Sequence, residues 1–261
     1  MAIPGPAVHQ VAGRTVTMPV QIRTATAFAA MVSVSAAAAQ RAIDHTGLSV
    51  IRWRPGRAVC VLVFVDYVDG DLGPYNEFGV CFLVRPHDAG RGGIVGDLRS
   101  VVRNEACALI HRLPVDGDFT LAAGRGIWGF PKTLAAFEVD HRGPVRTGTL
   151  RADSSTVLSL RVRPGVAVPD TDSSTTLTAY AHLDGVTRAT PWTMRAADVR
   201  TRPGGARLEL GDHPMADELR ALRPGRTLLA SSIGALSMTF GDAVVVSGSA
   251  ASGPVPAPGL G

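Results

Sequence analysis

Apolar and polar side chains alternate from Val16 to Arg23, and a continuous run rich in β-branched residues extends from Ala58 to Val68. Alternation at period two marks a strand with one face in solvent, whereas an unbroken apolar run of this length marks a strand covered on both faces. The turn sequence Asp69-Gly70-Asp71-Leu72-Gly73-Pro74 separates that run from a second at Tyr75 to Val84. The two are expected to form a hairpin with a long connection. Further strands are expected at Ala106 to Leu113, Leu134 to Asp140, Val145 to Arg151, Thr156 to Val162, Leu177 to Leu183, Trp192 to Val199 and Ala206 to Leu210, with an interrupted one at Thr227 to Val246. Helical signals are few. Ser35 is placed to cap a helix over Ala36 to Ile43, Pro214 suits the first position of a helix over Met215 to Leu222, and a short helix fits Phe119 to Arg125. Ten or more strands with three short helices predict a β-dominated α+β domain whose sheet is closed or strongly curled.

No linker or repeat divides the chain, so residues 1–246 are expected to form a single domain. Residues 247–261, built from Gly, Ser, Pro and Ala, are expected to be a disordered tail, and Pro86 to Gly96 a surface loop. At 261 residues with 46% hydrophobic and 18% charged positions, the chain has ample length for a core. The net charge of +4 is spread over isolated arginines rather than a run, which argues against a nucleic-acid tail. The N-terminal segment lacks a signal-peptide pattern. The longest apolar stretches, Ala58 to Val65 and the Ser-interrupted Ala25 to Ala39, are too short to span a membrane as helices. The expectation is a cytoplasmic protein with neither a membrane nor a nucleic-acid partner.

Several motifs carry little chemistry. Cys60, Cys81 and Cys107 are odd in number and contain no CxxC, which fits small core residues. The seven histidines stand at least 24 residues apart with no HxxxH pair, so no metal is expected. Gly124-Arg125-Gly126-Ile127-Trp128-Gly129 matches GxGxxG, yet Pro131 follows at once and no helix opens to receive a pyrophosphate. No nucleotide or other cofactor is expected.

The informative residue is Lys132, the only lysine beside 25 arginines. Arginine stays protonated in proteins, whereas a buried lysine can lose its proton and become a nucleophilic amine. Lys132 follows Trp128-Gly129-Phe130-Pro131, so apolar surroundings are expected. Glutamate is also scarce, with five against 17 aspartates, and one of them, Glu77, lies on the strand from Tyr75 to Val84.

The segment Ala123-Gly124-Arg125-Gly126-Ile127-Trp128-Gly129-Phe130-Pro131-Lys132, with Gly73-Pro74-Tyr75-Asn76-Glu77 upstream, resembles the signatures of the acetoacetate decarboxylase superfamily. The resemblance covers residues 10 to 245. It implies a cone-shaped or strongly curled antiparallel β-barrel, a Lys132 that forms a Schiff base with a small keto acid, and a Glu77 that handles protons. Trp128 and Phe130 would line the substrate pocket, and an N-terminal arginine, Arg14 with Arg23 in reserve, would hold the substrate carboxylate. A homo-oligomer is also implied. Two positions depart from the family pattern: Gly126 stands where a glutamate is expected, and Thr133 where decarboxylases carry a second lysine. Three readings stay open. Decarboxylation of acetoacetate or a related β-keto acid leads, followed by aldolase-dehydratase chemistry on the same imine and by a non-catalytic barrel that binds a small acid.

Overall fold

The central strands are apolar throughout because two separate cores cover their opposite faces. A computed structural model describes residues 6–89, 96–97, 107–170 and 174–247. Its strands are β1 (Val8–Val11), β2 (Arg14–Thr17), β3 (Val20–Ser35), β4 (Arg52–Arg54), β5 (Arg57–Gly70), β6 (Tyr75–Val84), β7 (Cys107–Val115), β8 (Lys132–Leu134), β9 (Ala136–Asp140), β10 (Arg146–Ala152), β11 (Ser155–Val162), β12 (Val166–Ala167), β13 (Thr175–Leu183), β14 (Val186–Pro203), β15 (Ala206–Leu210), β16 (Thr227–Phe240) and β17 (Val244–Ser247). The helices are α1 (Ala36–Ile43), α2 (Asp118–Ala123) and α3 (Pro214–Ala221).

The main sheet runs β14-β13-β7-β6-β5-β3-β16 and returns to β14, so it curls into a closed ring. The 18-residue β14 makes the closure, because it pairs with β13 near its start and with β16 from Trp192 onward. The ring is mixed rather than wholly antiparallel: β13 runs parallel to β7, and β8 adds to β7 in parallel as well. A four-stranded sheet, β15-β11-β10-β9, packs over one face. Its Leu150, Val157, Leu158, Leu160 and Val162 join Phe28, Leu62, Phe64, Phe78 and Phe82 of the ring in one core. At Gly148 a Cβ would sit 2.8 Å from the Phe64 ring, so the two sheets meet too closely there for any side chain. The second core takes the alternate residues of the same strands, Ala25 and Ala27 of β3, Val65 and Tyr67 of β5 and Tyr75 of β6, and it contains Trp128 and Phe130.

Ser35 caps α1 by accepting a hydrogen bond from the Ala38 amide at 3.3 Å. β5 and β6 pair as the expected hairpin, with four residues between them. The expected strand over Val16 to Arg23 is divided at the cis Met18–Pro19 peptide, and β3 then continues through the Ala-rich stretch to Ser35. That stretch lacks the β-branched density of a strand, and it is held extended by ladders to β5 and β16 on its two sides. The hairpin β1–β2, turned by Ala12 and Gly13 at φ 46° and 75°, was not expected from the pattern, nor was the two-residue β12. Residues 90–95 of the expected loop and residues 248–261 of the expected tail lie outside the described residues, and Ser247 belongs to β17.

Candidate active site

Lys132 opens β8 beside Leu113 of β7, and Glu77 stands on β6 opposite Val115 of β7. Both face the second core, with Lys132 3% and Glu77 6% exposed. The Lys132 Nζ lies 2.9 Å from Glu77 Oε2 and donates to Thr120 Oγ1 of α2 at 2.8 Å. The other carboxylate oxygen, Oε1, accepts the Tyr67 hydroxyl at 2.9 Å. Tyr75 presents its ring to the amine, 4.8 Å from Nζ to the centroid, and stacks on Tyr67 at 4.3 Å. Tyr67, Tyr75 and Thr120 are themselves buried. One amine, one carboxylate and three hydroxyl-bearing side chains thus share a buried site.

The segment before Lys132 explains how the amine arrives there. α2 widens into a single π-helical turn over Gly124–Trp128, a feature that accommodates one extra residue per turn. Gly129 ends it in the left-handed region at φ 67°, and the Phe130 amide returns to the Gly124 carbonyl at 3.0 Å. The lysine stem then crosses Gly124 so closely that a Cβ there would lie 2.5 Å from Cδ and 2.6 Å from Cε. The glycines of the GxGxxG string therefore serve a turn and a close approach. The middle one, Gly126, is exposed with nothing near its missing side chain.

Burial dominates the electrostatics. It pushes the Lys132 amine below its ordinary value of 10.5, while the charge and hydrogen bond of Glu77 pull the other way without cancelling it. Burial, and after it the negative Glu77, raises both Tyr67 and Tyr75 well above the ordinary phenol value, so both remain hydrogen-bond donors. The Cys81 thiol is likewise pushed up to about 12 by burial and then by Glu77, which leaves it an inert wall residue.

The other residues singled out in the sequence are placed differently. Trp128 and Phe130 stack on each other at 5.5 Å and meet Phe240 and Trp192 edge-on, and the Trp128 indole donates to the Gly241 carbonyl at 2.8 Å. They build the wall of the second core, while Tyr75 is the ring facing the amine. Arg14 is exposed, with its guanidinium 3.8 Å over the ring of Phe119, the residue before Thr120. Arg23 is exposed too and pairs with Asp69 and Asp71 at 2.7 Å each. Thr133 alternates to the opposite side of β8 from Lys132 and is exposed. A cavity of about 470 Å³ is lined by Arg112, Pro114, Thr133, Leu134 and Glu218 among others, and neither Lys132 nor Glu77 lines it. Sequence reasoning missed Tyr67 and Thr120. Tyr67 was legible as the hairpin partner of Tyr75, two positions from Glu77 on the same face, whereas Thr120 carries no local signal. Among the described residues no group of three or more His, Cys, Asp or Glu side chains could hold a metal ion.

A ring-closed, β-dominated sheet thus holds a buried lysine of lowered proton affinity against a glutamate. The family described as "Acetoacetate decarboxylase (ADC)" matches residues 5–249, and the chain belongs to that family. A curated relative, "Acetoacetate decarboxylase 3" of Mesorhizobium japonicum, is 29% identical over 130 residues. That match covers 41% of this chain and 47% of the relative, so it spans about half the relative's length. Two solved structures share the fold. The acetoacetate decarboxylase of Legionella pneumophila superposes with a TM-score of 0.60 at 19% identity, covering 88% of each chain. The enduracididine biosynthesis enzyme MppR complexed with pyruvate superposes with a TM-score of 0.65 at 16% identity, covering 94% of this chain and 99% of that one.

Proposed function

We propose that the chain is a lysine Schiff-base lyase that decarboxylates acetoacetate or a related small β-keto acid. The observation that carries this reading is the Lys132 amine, buried, with its proton affinity lowered and Glu77 Oε2 at 2.9 Å. An amine so placed passes its proton to the carboxylate and attacks the ketone carbon, and Glu77 returns that proton to the departing water, which leaves a protonated imine beside the Glu77 anion. The bond to the substrate carboxylate then breaks. Its electron pair moves into the imine, CO2 leaves, and an enamine remains. A solvent proton relayed through Glu77 to the enamine carbon, and hydrolysis of the resulting imine, release the ketone and free the amine, so each turnover takes up one proton. Tyr67 keeps the Glu77 carboxylate in place by donating to Oε1, and Thr120 fixes the amine from the other side. Arg14, at the α2 surface, is the candidate to attract the anionic substrate, and Trp128 and Phe130 give the pocket its apolar wall.

A specific feature favours decarboxylation over reactions that retain the carboxylate. A substrate carboxylate brought to this imine enters a desolvated site that already holds the Glu77 anion, and that repulsion is relieved when neutral CO2 departs. Aldolase-dehydratase chemistry on the same imine is the competing reading, supported by the similarity in fold to an enzyme whose structure holds pyruvate.

Borohydride reduction in the presence of acetoacetate or pyruvate tests the proposal. The expected result is a single stable adduct on Lys132, lost in Lys132→Arg while the fold is kept. CO2 release from acetoacetate then separates decarboxylation from aldol chemistry. Failure of every keto acid and ketone to give an adduct would overturn the enzymatic reading and leave a small-acid-binding barrel.

A further inference from the structure

The faces of β3, β5 and β6 that carry the active site do not stay buried along their length. The ladder aligns Ala27, Val65 and Glu77 in one row, then Ala29, Val63 and Gly79, then Met31, Val61 and Cys81. All three residues of the first row are below a tenth exposed. In the second row Ala29 and Val63 are partly exposed, and in the third all three are. Alternation puts these residues on the same side of the sheet as Glu77, so exposure rises steadily from the carboxylate outward over two rows. Every residue added on the way is small or apolar. The position beside Glu77 on its own strand is a glycine, where a Cβ would come within 2.9 Å of Val63 Cγ1 and 3.5 Å of Cys81 Sγ. The side chains of Val63 and Cys81 therefore close over Gly79, and a Cβ added there would push Val63 into the way from the amine to the open rows.

We propose that this facet is the substrate entrance and a tail subsite, and that the preferred substrate is a keto acid or methyl ketone bearing an unbranched apolar chain. The inference rests on the Schiff-base reading of Lys132 and extends it. The carbonyl lies at the amine, and the chain runs outward past Gly79 along Val63, Ala29, Val61 and Met31. Continuity with Glu77 through the strand register assigns the facet to the substrate. None of its six residues carries a charge, so nothing in the facet would pair with a second carboxylate at the far end of the chain.

Borohydride trapping with acetone, 2-butanone, 2-pentanone and 2-heptanone, read as the mass gained by Lys132, tests the subsite. Each buried methylene should lower the half-saturating concentration about fourfold, hence roughly fifteenfold from acetone to 2-pentanone. The double variant Met31→Ser/Val61→Ser should flatten the ratio between 2-heptanone and acetone. Gly79→Ala should raise the half-saturation for 2-heptanone more than for acetone. Val68→Ser, an exposed apolar site on β5 away from the facet, should leave the ratio unchanged. A flat chain-length series in the parent protein, or a steep one that survives both facet variants, would overturn the subsite. A flat series together with a dimeric mass in solution that the double variant abolishes would instead make the facet an interface between copies. If no ketone and no keto acid traps at all, it is the Schiff-base reading that fails, and the subsite falls with it.

Discussion

Replacing Lys132 by Met and Glu77 by Gln, singly and together, measures whether the amine and carboxylate act as a pair. In Lys132→Met the Glu77 carboxylate stays buried with Tyr67 on Oε1 but nothing at Oε2, where the amine stood at 2.9 Å. Removing one partner of a buried ion pair costs about 3–5 kcal/mol. Glu77→Gln should cost less, about 1–3 kcal/mol, because burial already favours a neutral Lys132, so the lysine can release its proton rather than remain as an unpaired charge. The double variant replaces the pair by neutral groups of similar size. It should be more stable than the sum of the single changes implies, with a coupling of about 1–3 kcal/mol. Urea unfolding at pH 7, with midpoints compared at equal m-value, gives these quantities. The linkage has a definite sign. Lys132 binds its proton less tightly when folded than when unfolded, so the unfolded chain holds the extra proton and stability rises with pH up to the ordinary value of 10.5. That rise should be present in the parent and missing from Lys132→Met. Additivity within about 0.5 kcal/mol, or an unchanged pH slope in Lys132→Met, would refute the pairing.

Two other variants probe positions set by the fold. Gly124 has helical backbone angles, φ −60° and ψ −45°, so Gly124→Ala gains about 0.5–1 kcal/mol in backbone terms. The new Cβ nonetheless displaces the lysine stem, and trapping should slow about 100-fold while the urea midpoint barely moves; unchanged trapping would show that the amine position is not critical. On the far side of β7, burial would raise the Glu218 carboxyl, but hydrogen bonds from His111 and Arg112 outweigh it and hold it at about 2. Its contribution, ~2–3 kcal/mol, is complete above about 4.5 and is lost as pH falls toward 2, so acid titration of Glu218→Gln should lack that component. An identical acid profile in the two proteins would show that the cluster contributes nothing.

The fold was legible wherever the pattern reflected local chemistry. The helix capped by Ser35 and the hairpin of β5 and β6 follow from capping and β-branching. The continuation of β3 beyond Arg23 was hidden because Ala25, Ala27, Ala29 and Ala30 have little strand preference; its extension depends on two neighbours that arrive from positions far along the chain. Closure of the ring was hidden for the same reason. It needs β14 to meet β16 over eleven partnered positions, a pairing that no local window contains.

Within the site, Lys132 and Glu77 were legible as rare residues in distinctive settings, and burial was expected to lower the proton affinity of the amine, yet how the chain buries it was not legible. Thr133 made the question acute, since a second lysine was missing where a neighbouring charge was expected. The geometry resolves it: residue 133 lies on the other side of β8, in solvent, so a cation there would be screened and turned away from the amine. What lowers the proton affinity of Lys132 is its own burial, achieved by the π-turn that carries the chain from α2 into β8 and by the bare Cα of Gly124 beneath the stem. On the proposed Schiff-base reading, reactivity therefore depends on a turn and a missing side chain rather than on a second charge. It follows that Thr133→Lys should leave trapping nearly unchanged, while Gly124→Ala, which alters no charge at all, should suppress it.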